Sequence, residues 1–236
     1  MNLSAQQISQ DFKALGDPII AEHSQRFFKT AEGQYGHGDI FLGIRVPTIR
    51  KQVKKYRGIT LNEVKKLLKS PFHEIRLCAL LILVNLFAKG DDTEKSEIYA
   101  TYLKNTRHIN NWDLVDLSAH HIVGAYLERR NKKPLYVLAR SASLWERRIS
   151  VIATFYLINN NDFVDALKIA HILKNDPEDL IHKAVGWMLR EIGKRNQTVE
   201  ERYLKKQYKH MPRTMLRYAI ERFPKSRRNA YLEGRI

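Results

Sequence analysis

The chain has 236 residues, with 41 Lys plus Arg against 25 Asp plus Glu and a formal net charge of +16. That length holds one large domain or two small ones, and the basic excess points to an anionic partner, nucleic acid first. Cys78, the one cysteine, excludes an internal disulfide and fits a reducing, cytoplasmic compartment; no window approaches the roughly 20 apolar residues that span a bilayer.

In chain order, "MNLSAQQISQDF" predicts the start of an amphipathic helix and lacks the basic n-region and continuous apolar core of a signal peptide. "TAEGQYGHGDIFLGI", residues 30–44, holds four glycines and predicts a connecting loop with a short hairpin, able to touch DNA. Its spacing matches neither a P-loop nor a dinucleotide fingerprint. Pro47 then opens the next helix in its first turn. Beyond it, helical periodicity recurs between short breaks: "KSPF", "KGDD" at 89–92, "NKKP" at 131–134, "NNND" at 159–162, "NDPED" at 175–179 and "HMPR" at 210–213.

The segments between the breaks resemble one another: "EIRLCALLIL" at 74–83, "ERRISVIATF" at 146–155, "IHKAVGWMLR" at 181–190, and further on "MLRYAIERF" at 215–223. Aligning Arg76, Arg148 and Lys183 gives spacings of 72, or two units of 36, and 35. Such a period predicts helix-pair repeats of the HEAT type stacked into a solenoid with a concave basic face. The expected fold class is therefore all-α, with residues 1–236 as a single repeat domain, a loop insertion at 30–44 and a basic C-terminal segment at 224–236. Basic charge clusters in two runs. Residues 183–236 hold 15 Lys plus Arg against 5 acids, and residues 45–69 hold nine basic residues and one acid, Glu63. Solvated helix faces are the ordinary explanation of one such run; two favour a phosphate-binding surface.

Candidate chemistry centres on "NTRHINNWDLVDLSAHHIVGAYL", residues 105–127. Asn111 suits an N-cap and Asp113 the first turn, where negative charge meets the positive helix end. Val115, Ala119, Ile122 and Tyr126 repeat at core spacing. Trp112 and Asp116, at i and i+4, share one side of that stripe, and folding alone does not require a carboxylate there. Metal binding is not expected: His120 and His121 are adjacent, about 100° apart on a helix, and there is no cysteine cluster. No nucleophile-elbow motif supports Ser-His-Asp catalysis, and Cys78 lies in an apolar run as inert core. Trp145–Arg148 and Trp187–Arg190 repeat an i, i+3 spacing. A lone Trp on an apolar helix is more often core, but a recurring Arg partner can stack on the ring or reach phosphate.

"FLGIRVPTIRK", "NNWDLVDLSAHHIVGAYL", "LWERRISVIATFYLI", "DLIHKAVGWMLREIGKRN" and "MPRTMLRYAIERF" resemble the DNA alkylation repair proteins of the AlkD-like type, over nearly the whole chain to about Phe223. The resemblance implies HEAT-like repeats wrapped around duplex DNA and, in catalytic members, release of cationic N3- or N7-alkylated purines without swinging the base into a pocket. By motif position it puts the catalytic aspartate on Asp116, two sugar-contacting tryptophans on Trp112 and Trp187, and a phosphate-binding arginine on Arg148. Arg190, Lys183 and Arg213 stand as further DNA-binding candidates. Where some catalytic members carry a tyrosine this chain has Phe27, so that hydroxyl's role is lost, and its 30–40 loop is longer.

The chemistry agrees. An alkylated, positively charged purine is already a good leaving group, so one ionised carboxylate suffices to stabilise an oxocarbenium-like sugar and position water. Aromatic faces attract the cationic sugar and lesion. The expected partner is duplex DNA with alkylated bases, bound by a monomer with no cofactor, metal or membrane. Two other functions compete: non-catalytic binding of damaged or branched DNA, as some relatives do, and a HEAT-type protein scaffold, which the basic balance disfavours.

Overall fold

The computed structural model describes residues 3–236; Met1 and Asn2, the start of the expected N-terminal helix, lie outside the described residues. Helix α1 begins at Ala5 (Ala5–Ala14), capped by the Ser4 hydroxyl. It is followed by α2 (Pro18–Phe27), α3 (Val46–Val53), α4 (Leu61–Leu67), α5 (His73–Lys89), α6 (Asp92–Lys104) and α7 (Trp112–Asp116). Then come a π-helical turn (His120–Gly124), α8 (Ala125–Leu127), α9 (Lys133–Leu138), α10 (Leu144–Asn159), α11 (Val164–Ile172), α12 (Asp179–Arg195), α13 (Gln197–Gln207), α14 (Arg213–Ala219) and α15 (Lys225–Leu232). Among the described residues there is no strand, only an isolated parallel bridge between Ile40 and Phe72. The protein is all-α.

Local chemistry sets the helix starts. Asp17 accepts the Ile19 and Ile20 N–H groups, with Pro18 opening the helix. Asp91 and Glu94 form a reciprocal capping box that satisfies two otherwise orphaned donors. Thr60, Ser143 and Asn196 cap α4, α10 and α13. As the sequence predicts, the breaks fall at helix ends and Pro47 lies in the first turn of α3.

The chain divides into two compact units, Met1–Ser118 and Ala119–Ile236. In the first, α5 is the central helix: it is apolar on nearly every side, and α3, α4, α6 and α7 pack against it. In the second, the π turn, α10, α12 and α14 pack in succession.

Four expectations are corrected. Residues 30–44 form no hairpin; turns and bends run through residues 31–38 up to the bridge at Ile40. The helix expected through 112–127 is broken after Asp116 and widens into the π turn, so Val115, Ala119 and Ile122 are buried but Tyr126 is only half-buried. That wider turn also brings the His120 and His121 rings to 3.8 Å, not apart as on an α-helix. Finally, the repeat register moves by one. Arg76 and Arg147 each donate to the carbonyl six residues back, Ser70 and Ser141, and His182 Nε2 does the same with Asp176. The equivalent residues are thus Arg76, Arg147 and His182. Each ties the first turn of a long helix to the loop before it.

Close helix approach within the second unit depends on glycine. A Cβ on Gly124 would lie 2.2 Å from the Ala153 carbonyl oxygen, and one on Gly186 would lie 2.5 Å from both the Met215 carbonyl oxygen and Tyr218 Cβ. An alanine in mid-helix is intrinsically better than glycine by about 1 kcal/mol, but overpacking costs typically ~1–3 kcal/mol. Gly186→Ala is therefore expected to lower the unfolding free energy in a urea titration; an increase would show that α12 and α14 separate without loss.

Candidate functional site

Asn111, fully buried, accepts the Trp112 N–H through its side-chain oxygen and starts α7. Trp112 and Asp116 are both half-buried and, one helical turn apart, share a face. The Trp112 indole stacks on Phe28 at 5.2 Å and 21°. Phe28 stacks in turn on Phe41 at 4.9 Å, and Phe41 on the His73 imidazole at 4.4 Å. Phe27, where the resemblance expects a tyrosine, is exposed and meets Trp112 edge-on at 6.0 Å. Near Asp116, the Tyr102 hydroxyl pairs with Ser118 at 2.9 Å. Burial pushes the Tyr102 pKa up, the Ser118 hydrogen bond opposes this and the Asp116 charge reinforces it.

Beneath the aromatic column lies a buried ion cluster. His73 Nδ1 is 2.8 Å from Asp39 Oδ2, and Nε2 is 2.8 Å from Asp113 Oδ2. The Arg76 guanidinium bonds Asp39 Oδ1 and the Asn110 side chain, and its remaining donors reach the carbonyls of Ser70, Pro71 and His108. Burial favours neutral imidazole, but Asp113 and then Asp39 outweigh it and raise the His73 pKa to about 9. Both ring nitrogens therefore donate. Asp39 is held low: burial pulls the other way, and His73 and Arg76 overcome it. Beside the cluster, Glu74 accepts the backbone N–H groups of Leu42, Gly43 and Ile44, tying the end of the glycine-rich loop to α5.

In the second unit Trp187 is half-buried, tilted against Phe155 at 5.8 Å, and its Nε1–H donates to Glu191 at 3.0 Å. Arg190 turns to Glu221 and Glu191 rather than to the Trp187 ring, so Glu191 gathers Trp187, Arg190 and Lys194. Arg148 is buried and donates to the Leu180 carbonyl. Lys183 pairs with Asp179 at 2.8 Å, and exposed Arg213 donates to the Leu232 carbonyl. Trp112 and Asp116 thus belong to the first unit, and Arg148, Lys183, Trp187, Arg190 and Arg213 to the second. Among the described residues, no group of three or more His, Cys, Asp or Glu could hold a metal ion.

Sequence reasoning missed Asp39, His73, Phe28 and Phe41, and read Asp113 only as a helix-terminus charge. The available signal was the set of polar residues His73, Glu74 and Arg76 opening the apolar run of α5.

Comparison with known proteins gives a consistent result. The family model described as "DNA alkylation repair enzyme" matches residues 8–223. The chain belongs to this family. Three solved structures share its fold. A predicted DNA alkylation repair enzyme from Enterococcus faecalis is 17% identical, with TM-score 0.68, covering 89% of this chain and 97% of that one. AlkD2 from Streptococcus mutans is 18% identical, with TM-score 0.54 and coverage of 87% and 97%. The smu.31 protein of Streptococcus mutans UA159 is 17% identical, with TM-score 0.53 and coverage of 85% and 96%. No curated protein matches. The family supports a role in the repair of alkylated DNA.

The His73 cluster has a pH signature. A raised histidine pKa stabilises the fold fully below the unfolded value of 6.5 and loses that contribution as pH rises through about 9. The lowered Asp39 pKa works in the opposite sense, its contribution fading as pH falls through the folded value. Removing one partner of a buried ion group costs about 3–5 kcal/mol. His73→Gln is expected to be destabilised by that order at pH 6, with the gap to the native chain narrowing towards pH 9 in denaturant titrations. A pH-independent gap would show that His73 is not charged in the fold.

Proposed function

We propose that this chain is a DNA glycosylase that hydrolyses the N-glycosidic bond of cationic alkylated purines, N3- or N7-alkyl, in duplex DNA. The observation that supports it is the half-buried Asp116 carboxylate one helical turn from Trp112, whose indole is braced by the Phe28–Phe41–His73 column. As the cationic base leaves with the bonding electron pair, it becomes neutral and the sugar takes the positive charge. Asp116 stabilises that charge, and water adds to C1′ with loss of a proton. A fixed charge in a partly dry site needs little reorganisation at the moment of reaction, and the Trp112 face adds attraction for the sugar cation.

On the second unit, Trp187 offers another half-buried aromatic face, and Lys183 and Arg213 offer cations to phosphate. The Lys183–Asp179 pair is 40% and 57% exposed, and exposed pairs contribute only about 0–1 kcal/mol, so a phosphate displaces Asp179 at little cost. Arg148, buried and donating to the Leu180 carbonyl, offers phosphate far less surface than Lys183 or Arg213. Phe27 favours a second reading, non-catalytic binding of damaged or branched DNA, because the chain lacks a hydroxyl at the edge of Trp112.

Asp116→Asn is expected to bind methylated duplex nearly as well as the native chain but to release N7-methylguanine about 10²-fold more slowly. Equal release rates sink the mechanism; DNA binding with no release from either protein establishes the second reading. Trp187→Ala is expected to slow release with a smaller effect on binding to undamaged duplex. Duplex affinity itself is expected to fall steeply with salt as counterions are released, which filter binding at several salt concentrations measures.

A further inference from the structure

A cavity of about 360 Å³ lies in the first unit beneath α2, between that helix and α3 and α5. Its size is at the lower end of the roughly 300–1,000 Å³ of small-molecule sites, which suits a single heterocycle. Ile20, Phe28, Phe41, Ile49 and Leu77 contribute apolar wall. Asp113, Glu74 and His73 contribute the polar part, all three buried. His73 has both nitrogens engaged by Asp39 and Asp113. What these residues have left to offer a ligand is carboxylate lone pairs, beyond those that Glu74 gives to the Leu42, Gly43 and Ile44 N–H groups and Asp113 to His73 and the Leu114 N–H. Such a surface accepts N–H donors in its buried part, while Arg45 and His23 stand at its exposed edge. The helix over it, α2, has no fully buried side chain, and its Ile19 is 80% exposed, so moving it aside uncovers little core.

A ligand fitting these demands is flat, apolar on its faces and rich in N–H on its edge. We propose that the cavity beneath α2 is a binding site for a purine base. Phe28 lines the cavity and also stacks on Trp112, so occupancy reaches the indole through one ring. Arg45 and His23, exposed at the cavity, can meet a phosphate if the purine arrives as a nucleotide. That the physiological occupant is the alkylated base just released rests on the glycosylase reading above.

The test is titration calorimetry of the full chain with adenine, N7-methylguanine, adenosine monophosphate and inorganic phosphate. Adenine and N7-methylguanine are expected to bind, and Ile20→Phe, which fills the cavity from its roof, is expected to weaken both by about tenfold or more. Unchanged far-ultraviolet circular dichroism and duplex binding confirm that the variant is folded. Adenosine monophosphate binding more tightly than adenine, with the advantage lost in Arg45→Ala, supports the purine site and assigns its occupant to a nucleotide. No heat with either base at millimolar concentration, equal binding by Ile20→Phe, or competition by inorganic phosphate against adenine overturns the proposal. Purine binding without base release from DNA leaves the site standing and removes only the glycosylase reading. Base release without purine binding removes only the site.

Discussion

His73 sits where three separate stretches of chain converge, and each of its ring nitrogens meets a carboxylate. Asp39 comes from the glycine-rich loop, His73 from the first residue of α5, and Asp113 from the first turn of α7. Uncompensated, two buried carboxylates would repel each other and lose their hydration. A protonated imidazole between them, with Arg76 on the outer side of Asp39, converts that cost into a fixed geometry. The loop is otherwise a series of turns with one backbone bridge, so this cluster and the Glu74 contacts hold its end in place.

The placement of Trp112 follows from the same arrangement. Asn111 and Asp113 flank it in sequence; both are buried, and both interact with the cluster, Asp113 through His73 and Asn111 towards Asp39 at 3.4 Å. The ring column from His73 through Phe41 and Phe28 fixes the indole face. Offset aromatic stacking adds about 0.5–1.5 kcal/mol per pair beyond burial, enough to favour one ring orientation over alternatives. An aromatic surface held from two directions is suited to meeting a flat or cationic group without first reorganising.

The second unit uses a different device for its tryptophan. Glu191 accepts from Trp187 and pairs with Arg190 and Lys194, so a carboxylate on the same helix orients the ring. Glycines at the helix crossings bring neighbouring backbones close, and Gly186 directly precedes Trp187. The proposed chemistry needs only one carboxylate, because the leaving base already carries positive charge. This explains how a fold of packed helices can serve alkylated DNA without the paired acids of a glycosidase.

Much of the architecture is local and therefore readable in the residues themselves. Caps such as Asn111, Asp91 and Ser143 satisfy donors within three positions, and the breaks at "NKKP" or "NDPED" stop helices by backbone chemistry that needs no distant partner. The i, i+4 pairing of Trp112 with Asp116 is likewise a matter of helical period, and the all-α class follows from the periodicity. The repeat register escaped by one residue because Arg147 and Arg148 are alike in sequence; only the reach of Arg147 to the Ser141 carbonyl and to Asp176 tells them apart. The charge state of His73 depends on Asp39 and Asp113, 34 and 40 residues away, and the column beneath Trp112 depends on Phe28 and Phe41 from other segments. Local propensity determined the helices and placed the carboxylate beside the indole. Burial and long-range pairing, which no periodicity encodes, decided which charges face each other and which rings hold the tryptophan.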